Sequence, residues 1–263
     1  MNNEKTVPCR CCGSDTAKYL WSGALIELTV KYFECSQCGY VQTEQPHWLP
    51  RAYTDAINAS DTGIMARNYA NVSKIIVTLK LLGVISGRVL DWAGGIGILV
   101  RLLRDAGIDA LWADGYSDNL LARGFEHKDE KVELVTAFEV FEHFSCPAEE
   151  LDRLLGFGRN LLLSTMFIPD PAPDHTQWWY YGREHGQHVG FFRAETLRKL
   201  AHSRGLHFIS NGTNLHLMSE QRVNEKYWRI LMKFSGIAAP LVSRHLKSRT
   251  WPDHVLLAKS NDT

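Results

Sequence analysis

The chain has 263 residues, of which 45% are hydrophobic and 22% charged, and its 29 basic and 29 acidic side chains cancel. Such a balance fits one full-size α/β domain plus a small accessory module, and it gives no global positive field that would make nucleic acid the expected partner. No apolar run approaches the roughly 20 residues that span a bilayer, and the start MNNEKTVPCRCCG lacks the regions of a secretory signal, so a soluble, cytoplasmic protein is expected.

Five of the six cysteines fall in the first 38 residues. In a reducing compartment such cysteines serve as metal ligands or buried thiols rather than disulfides. Cys9-Arg-Cys-Cys12-Gly13 and Cys35-Ser-Gln-Cys38-Gly39 are both C-x-x-C-G, with 22 residues between the pairs. Each spacing places two thiolates on one tight turn, and the glycine lets the backbone pass close to the metal. Two such turns supply the four soft ligands of a tetrahedral, structural Zn2+ site, with Cys9, Cys12, Cys35 and Cys38 as its ligands. Residues 1–42 are therefore read as a zinc ribbon whose folding the metal drives. Cys11 is out of register with the second motif, and the distant Cys146 reads as a core thiol.

Residues 43–85 read as a linker and helical cap, with Ala66–Leu82 helical from the spacing of Val72, Ile75, Ile76, Leu79 and Leu82. From Arg88 short apolar runs alternate with amphipathic segments, the rhythm of βαβ units. Expected strands are Val89-Leu90, Ala110–Ala113, Leu134–Ala137, Leu161–Ser164, Leu206–Ser210 and His254–Ala258. Expected helices are Ile98–Ala106, Ala148–Leu155, Ala194–Arg204 and Val223–Lys247, the last inserted between the final two strands and broken near Pro240.

The segment Arg88-Val-Leu-Asp91-Trp-Ala93-Gly94-Gly95-Ile-Gly97 reads as a strand ending in an acid, a glycine-rich turn and a helix start, which admits a ligand near the helix N-terminus. Asp114, 17 residues after Gly97, closes the next strand and can accept from both hydroxyls of a ribose. A dinucleotide fingerprint would need glycine where Val100 stands, and Asp91 would repel a pyrophosphate. A ligand with an ammonium and a sulfonium but no phosphate makes that carboxylate an asset, and S-adenosylmethionine fits this description.

These motifs, with Val135-Thr-Ala-Phe138-Glu139-Val-Phe-Glu142-His143 and Asn160-Leu-Leu-Leu-Ser-Thr165, resemble class I S-adenosylmethionine-dependent methyltransferases that carry an N-terminal zinc-binding domain. The resemblance covers about residues 1 to 210 and is carried by the combination of motifs. It implies an α/β, Rossmann-like fold with a mostly parallel, seven-strand-type sheet over residues 86–263, including a helical insertion at about 221–250. It further implies a cofactor site built from Asp91, Ala93, Gly94, Gly95, Gly97, Asp114, Phe138, Glu139 and His143. Ala93 stands where the family's first glycine usually is. The family's third-strand acid, which holds the adenine amino group, has no placed counterpart here; Glu126 and Asp129 are the candidates.

After the fifth strand comes Gln177-Trp-Trp-Tyr-Tyr-Gly-Arg-Glu-His-Gly-Gln-His188-Val-Gly-Phe-Phe192, rich in aromatics and histidines. His188 is expected to act as a general base, with Tyr181 and Glu184 (and neighbouring Tyr180) orienting the acceptor. In Val223–Lys247, Tyr227, Ile230, Leu231 and Phe234 form an apolar stripe near Lys226, Arg229 and Lys233, a pattern suited to a lid, a dimer helix or an anionic membrane surface. The resulting expectation is a methyltransferase acting on a small-molecule acceptor such as a sugar or glycan precursor. The competing expectations are a zinc-ribbon scaffold on an inactive core and a nicotinamide-dependent oxidoreductase, which Val100 and Asp91 disfavour. Oligomeric state is not encoded in any of these patterns.

Overall fold

The computed structural model describes residues 6–53 and 61–260; residues 54–60 of the expected linker lie outside them. Two sheets organise the chain. The first is a four-stranded antiparallel sheet of order β1-β2-β3-β8, built from β1 (Ala17–Leu25), β2 (Leu28–Cys35), β3 (Val41–Thr43) and the two-residue β8 (Gly190–Phe191). Its strands are rich in the aromatic and β-branched residues that suit a pleated surface. The second sheet holds β4 (Arg88–Trp92), β5 (Asp109–Ala113), β6 (Leu134–Phe138), β7 (Leu161–Ser164), β9 (His207–Ser210) and β10 (Leu215–Ser219), in the order β5-β4-β6-β7-β10-β9. β4 pairs in parallel with both β5 and β6, while β9 and β10 form an antiparallel hairpin. This is the α/β, Rossmann-like arrangement with a mostly parallel sheet that the motif order implies.

Eight α-helices accompany the strands among the described residues: α1 (Leu49–Ala52), α2 (Ile64–Leu81), α3 (Ile98–Asp105), α4 (Pro147–Phe157), α5 (Ala194–His202), α6 (Glu225–Lys233), α7 (Ser235–Ser243) and α8 (Thr250–Ser260). None of them is long and apolar enough to cross a membrane. The sheet has six strands among the described residues, not seven. A further strand after β5 is reduced to a single parallel bridge between Trp112 and Glu126.

The strand expected at His254–Ala258 is instead the interior of α8. Pro252 and Asp253 occupy the first turn of that helix, where a missing N–H costs nothing and a negative charge is favoured. Asp253 is then gripped by both nitrogens of a bidentate Arg104 fork at 2.8 Å and by Arg101 at 2.9 Å. The Val223–Lys247 segment consequently follows the last strand rather than lying between two strands. Its break falls at Phe234, while Pro240 sits inside α7. The expected apolar stripe also faces outward: Tyr227, Ile230 and Phe234 are exposed, and Trp228 and Met232 carry the buried side of α6.

By contacts the chain groups into two compact units. One comprises Met1–Asn58, Phe138–Leu154 and Leu163–Glu220, and the other Ala59–Ala137, Leu155–Leu162 and Gln221–Thr263. The first unit unites the cysteine ribbon with the aromatic segment near residue 180. Leu25, Val30, Tyr32, Val41, Trp48, Tyr180, Tyr181, Val189 and Phe191 form one buried cluster there. β8 closes the sheet by pairing Gly190 with Gln42 and Phe191 with Val41. A Cβ on Gly190 would stand 1.8 Å from the Tyr40 hydroxyl, so only glycine allows this approach. In the second unit α2 packs on α3, α6 and α7, with Ile75, Ile76, Val77 and Leu79 buried.

Candidate functional site

The two C-x-x-C-G turns are near copies of each other. Gly13 N donates to Cys9 O and Gly39 N to Cys35 O, both at 2.8 Å, and both glycines take left-handed backbone, with φ of +74° and +73°. Cys9 N donates to Ser14 O at 2.8 Å and Cys35 N to Tyr40 O at 2.9 Å, which closes each turn identically. The sulfurs of Cys9, Cys12, Cys35 and Cys38 lie within 4.8 Å of one another. Cys9 and Cys38 are 3.6 Å apart and Cys12 and Cys35 3.7 Å. A tetrahedron with Zn–S bonds of about 2.3 Å has edges of about 3.8 Å, so these two sulfur pairs already stand at the spacing of a zinc site. Burial acts to raise the Cys35 thiol, but hydrogen bonds from Ser14, Thr16 and the Cys38 and Gln37 amides outweigh it and hold Cys35 down at about 6. Cys11 is buried but stands outside the four-sulfur group.

In the second unit the glycine loop leaves the end of β4. Ala93, Gly95 and Gly97 have φ of +58°, +55° and +90°, so the turn needs left-handed backbone three times in five residues. Gly97 caps α3, and a Cβ there would meet Ala122 N at 3.0 Å. A Cβ on Gly94 would press on the Trp112 ring at 2.8 Å. Over Gly95 the space is open. Asp114 Oδ2 accepts from Gly95 N at 2.9 Å, while its Oδ1 accepts from Tyr116 N and Ser117 N. Three of its roughly four lone-pair positions therefore hold the loop. Trp112 Nε1 adds a bond to Gly95 O at 2.8 Å. Asp91 is 4% exposed, accepts from Thr136 Oγ1 at 2.8 Å and has no cationic partner among the described residues. Burial, aided by the charge of Asp114 and opposed by the Thr136 bond, pushes its carboxyl up to about 7. Glu126, a candidate for the adenine contact, is engaged by Asn119 Nδ2 and Gly124 N; Asp129 is exposed, with φ of +64°.

The remaining expected residues assemble in the first unit. Phe138 ends β6, Glu139 follows with φ of +55°, and Phe141–His143 form one 3-10 turn. Glu139 is anchored by Ser164, whose hydroxyl donates to Oε1 at 2.5 Å and accepts from the Glu139 amide at 2.9 Å. Glu142 is fully buried and accepts from the Tyr180 hydroxyl at 2.7 Å, while its other oxygen has no hydrogen-bond partner. Burial and the nearby charge of Glu139 push Glu142 up to about 8. His188 Nδ1 lies 2.6 Å from the Tyr180 carbonyl, which can only accept, so Nδ1 carries the proton and Nε2 is the open lone pair. Burial pushes His188 down to about 3 and lowers His143 and His185 as well. His143 Nδ1 meets the Tyr53 hydroxyl at 2.7 Å.

Two expected residues stand elsewhere. Tyr181 is fully buried against Tyr32 and Phe191, and its hydroxyl donates to Pro173 O at 2.8 Å, so it packs the ribbon sheet. Glu184 is exposed. The tyrosine that reaches the carboxylates is Tyr180, its neighbour on the 3-10 turn Trp179–Tyr181. A histidine held near 3 is also a weak base at neutral pH, because proton transfer is efficient when the pKa lies near the working pH.

Among solved structures the chain is similar to magnesium protoporphyrin IX methyltransferase from Synechocystis, with 18% identity, 64% of this chain and 90% of that one covered, and a TM-score of 0.44. It is similar to an O-methyltransferase family protein from Burkholderia thailandensis, with 15% identity, 67% and 68% covered, and a TM-score of 0.45. A third is 1,6-didemethyltoxoflavin-N1-methyltransferase from the same organism, with 12% identity, 77% and 97% covered, and a TM-score of 0.48. No curated protein matches. The family described as a methyltransferase domain matches residues 63–211, from the start of α2 to the end of β9 and including the glycine loop, Asp114 and the Glu139–His143 turn. Matched over more than half its length, the chain belongs to the methyltransferase-domain family.

Proposed function

We propose that this protein transfers a methyl group from S-adenosylmethionine to a small-molecule acceptor, with a sugar or glycan precursor as the acceptor class. The observation that carries the reading is Asp91: a buried carboxylate beside an open glycine turn, with no cation to neutralise it among the described residues. The amino-acid end of the cofactor brings that cation, and the open face over Gly95 leaves room for a ligand to approach the backbone. Asp114 fixes the loop for the ligand and has one lone-pair position left for a ribose hydroxyl. When bound, the cofactor supplies a methyl group already activated on a sulfonium, so the chain's own contribution is to align the acceptor and exclude water. We assign the acceptor side to Tyr180, Glu142, His143 and His188, the polar cluster of the first unit.

The four-cysteine group is assigned a structural zinc, because a site closed by four thiolates has no position left for substrate. We also read the exposed apolar side of α6 and α7, with Lys226, Arg229 and Lys233 on α6, as a contact for an anionic membrane surface. Calorimetry of S-adenosylhomocysteine binding to the zinc-loaded protein tests the central claim. Binding that Asp91→Ala abolishes supports it, and no heat with the folded wild-type protein overturns it.

A further inference from the structure

The first unit brings together one carboxylate and two imidazoles at a spacing that a cation can bridge. One ligand atom each from Glu142, His143 and His188 lies within 4.8 Å of the others, and Glu142 Oε1 stands 4.0 Å from His143 Nε2. The two imidazole rings meet edge to face at 4.9 Å between centroids. We propose that Glu142, His143 and His188 form a second metal site, distinct from the cysteines, that binds a divalent first-row transition cation such as zinc.

Four observations support this assignment. The donor set is two nitrogens and one oxygen, the mixture that borderline divalent cations select over magnesium or calcium. Each imidazole is oriented from behind: His188 by the Tyr180 carbonyl on Nδ1 at 2.6 Å, and His143 by the Tyr53 hydroxyl on Nδ1 at 2.7 Å. Metal-bound histidines are held in this way, with the outer nitrogen on an oxygen and the inner lone pair turned to the ion. Glu142 is oriented likewise by the Tyr180 hydroxyl on Oε1, while its Oε2 is fully buried without a hydrogen-bond partner. An unpartnered buried carboxylate oxygen costs folding free energy that a cation would recover. The cluster also reaches the surface at one edge, the His143 side chain being 19% exposed while that of Glu142 is fully buried.

The fit needs modest closure. With bonds of about 2.1 Å, neighbouring ligands of a tetrahedral ion stand about 3.4 Å apart, so the three atoms draw in by about 1 Å. Three protein ligands leave at least one coordination position for a water or for an oxygen of a bound molecule, unlike the closed cysteine site. That an acceptor oxygen takes this position rests on the methyltransferase reading. The binding of the ion does not.

Elemental analysis after equilibration with micromolar zinc and gel filtration tests the site on the full chain. Wild-type protein is expected to retain one more zinc per chain than Glu142→Gln or His143→Ala, whatever the cysteines hold, since the readout is a difference. His245→Ala, which removes an exposed histidine elsewhere, is expected to match the wild type. Equal zinc in the wild type and in His143→Ala overturns the proposal and leaves the cluster a hydrogen-bonded brace only. Should Glu142→Gln fail to fold, His143→Ala, at the partly exposed edge, decides alone. Calorimetry of S-adenosylhomocysteine on the same samples separates the two readings. Loss of the zinc difference with cofactor product still bound sinks the metal site alone, and the reverse result sinks the cofactor reading alone.

Discussion

Replacing Asp91 by Asn is expected to stabilise the free protein and to abolish the cofactor binding proposed for it. The Asp91 carboxyl is held near 7 by burial, against an ordinary value of 3.8. Between those two values the unfolded chain releases this proton while the folded chain keeps it, so the fold loses stability as pH rises through the window. Above about pH 7 both states are ionised and the whole penalty is present. Three units of displacement correspond to about 4 kcal/mol, at about 1.36 kcal/mol per unit. An Asn oxygen can keep the Thr136 bond, while its amide lacks an assured acceptor, which returns ~1 kcal/mol. A net gain of about 3 kcal/mol would raise the melting temperature by about 9 °C in a chain of this size. At about pH 5.5 the advantage should shrink by roughly half, since less of the proton-release window has been crossed. Differential scanning fluorimetry at the two pH values, with calorimetry of S-adenosylhomocysteine, reads all of this. A melting temperature that is unchanged or lower at about pH 8 refutes the reasoning, as does a gap that ignores pH. In the wild type the ammonium of the ligand favours ionised Asp91, so affinity should rise as pH climbs through 7.

Ala93→Gly removes a Cβ from a left-handed position and should leave the unfolding free energy equal or up to ~1 kcal/mol higher, with cofactor binding retained; a clear loss in thermal melts would contradict the strain at φ +58°. Cys38→Ser, or a strong chelator on the wild type, should release zinc by elemental analysis and lower the melting temperature, because metal binding is part of the folding free energy. Asp253→Asn leaves the buried Arg104 fork short of a carboxylate and should cost about 3 kcal/mol in denaturant titration, with no change expected at a surface acid such as Glu184. Vesicles of anionic lipid should co-sediment the protein, with the fraction bound falling in Ile230→Glu; equal sedimentation of the variant would remove the membrane role of α6.

How much of this was legible depended on whether the chemistry is local. The cysteine turns were readable because a soft tetrahedral ion dictates ligand type, number and spacing within five residues. The glycine loop was readable for a similar reason, since left-handed backbone announces itself through glycine, although Ala93 adopts it too. The run His254–Ala258 reads equally as strand or helix, because five apolar or neutral residues cannot separate the two; the deciding signals are Pro252 and Asp253 just before it. Tyr180 and Tyr181 are adjacent in a single 3-10 turn, and only packing decides which of them reaches Glu142. β8 left no local signal, because two residues became a strand through a partner almost 150 positions away. The Glu142–His143–His188 group is half visible: each residue stands in a motif, but what joins the two segments is the long-range bond from Val189 N to Glu142 O at 2.8 Å.

The pairing of β3 with β8 bears on how this chain can be cut or recombined. Val189, next to His188, gives its carbonyl to the guanidinium of Arg10 at 2.7 Å, and Arg10 lies inside the first cysteine turn. Gly190 and Phe191 then complete the ribbon's own sheet. The ribbon is thus not a detachable tag. Truncation at residue 44 would strip β8 of its partner and bare Val189 and Phe191, both fully buried, so the shortened chain should aggregate. A ribbon grafted from a relative would register only if the strip around residue 190 travelled with it. The two segments behave as one inheritable part, written in two places along the sequence.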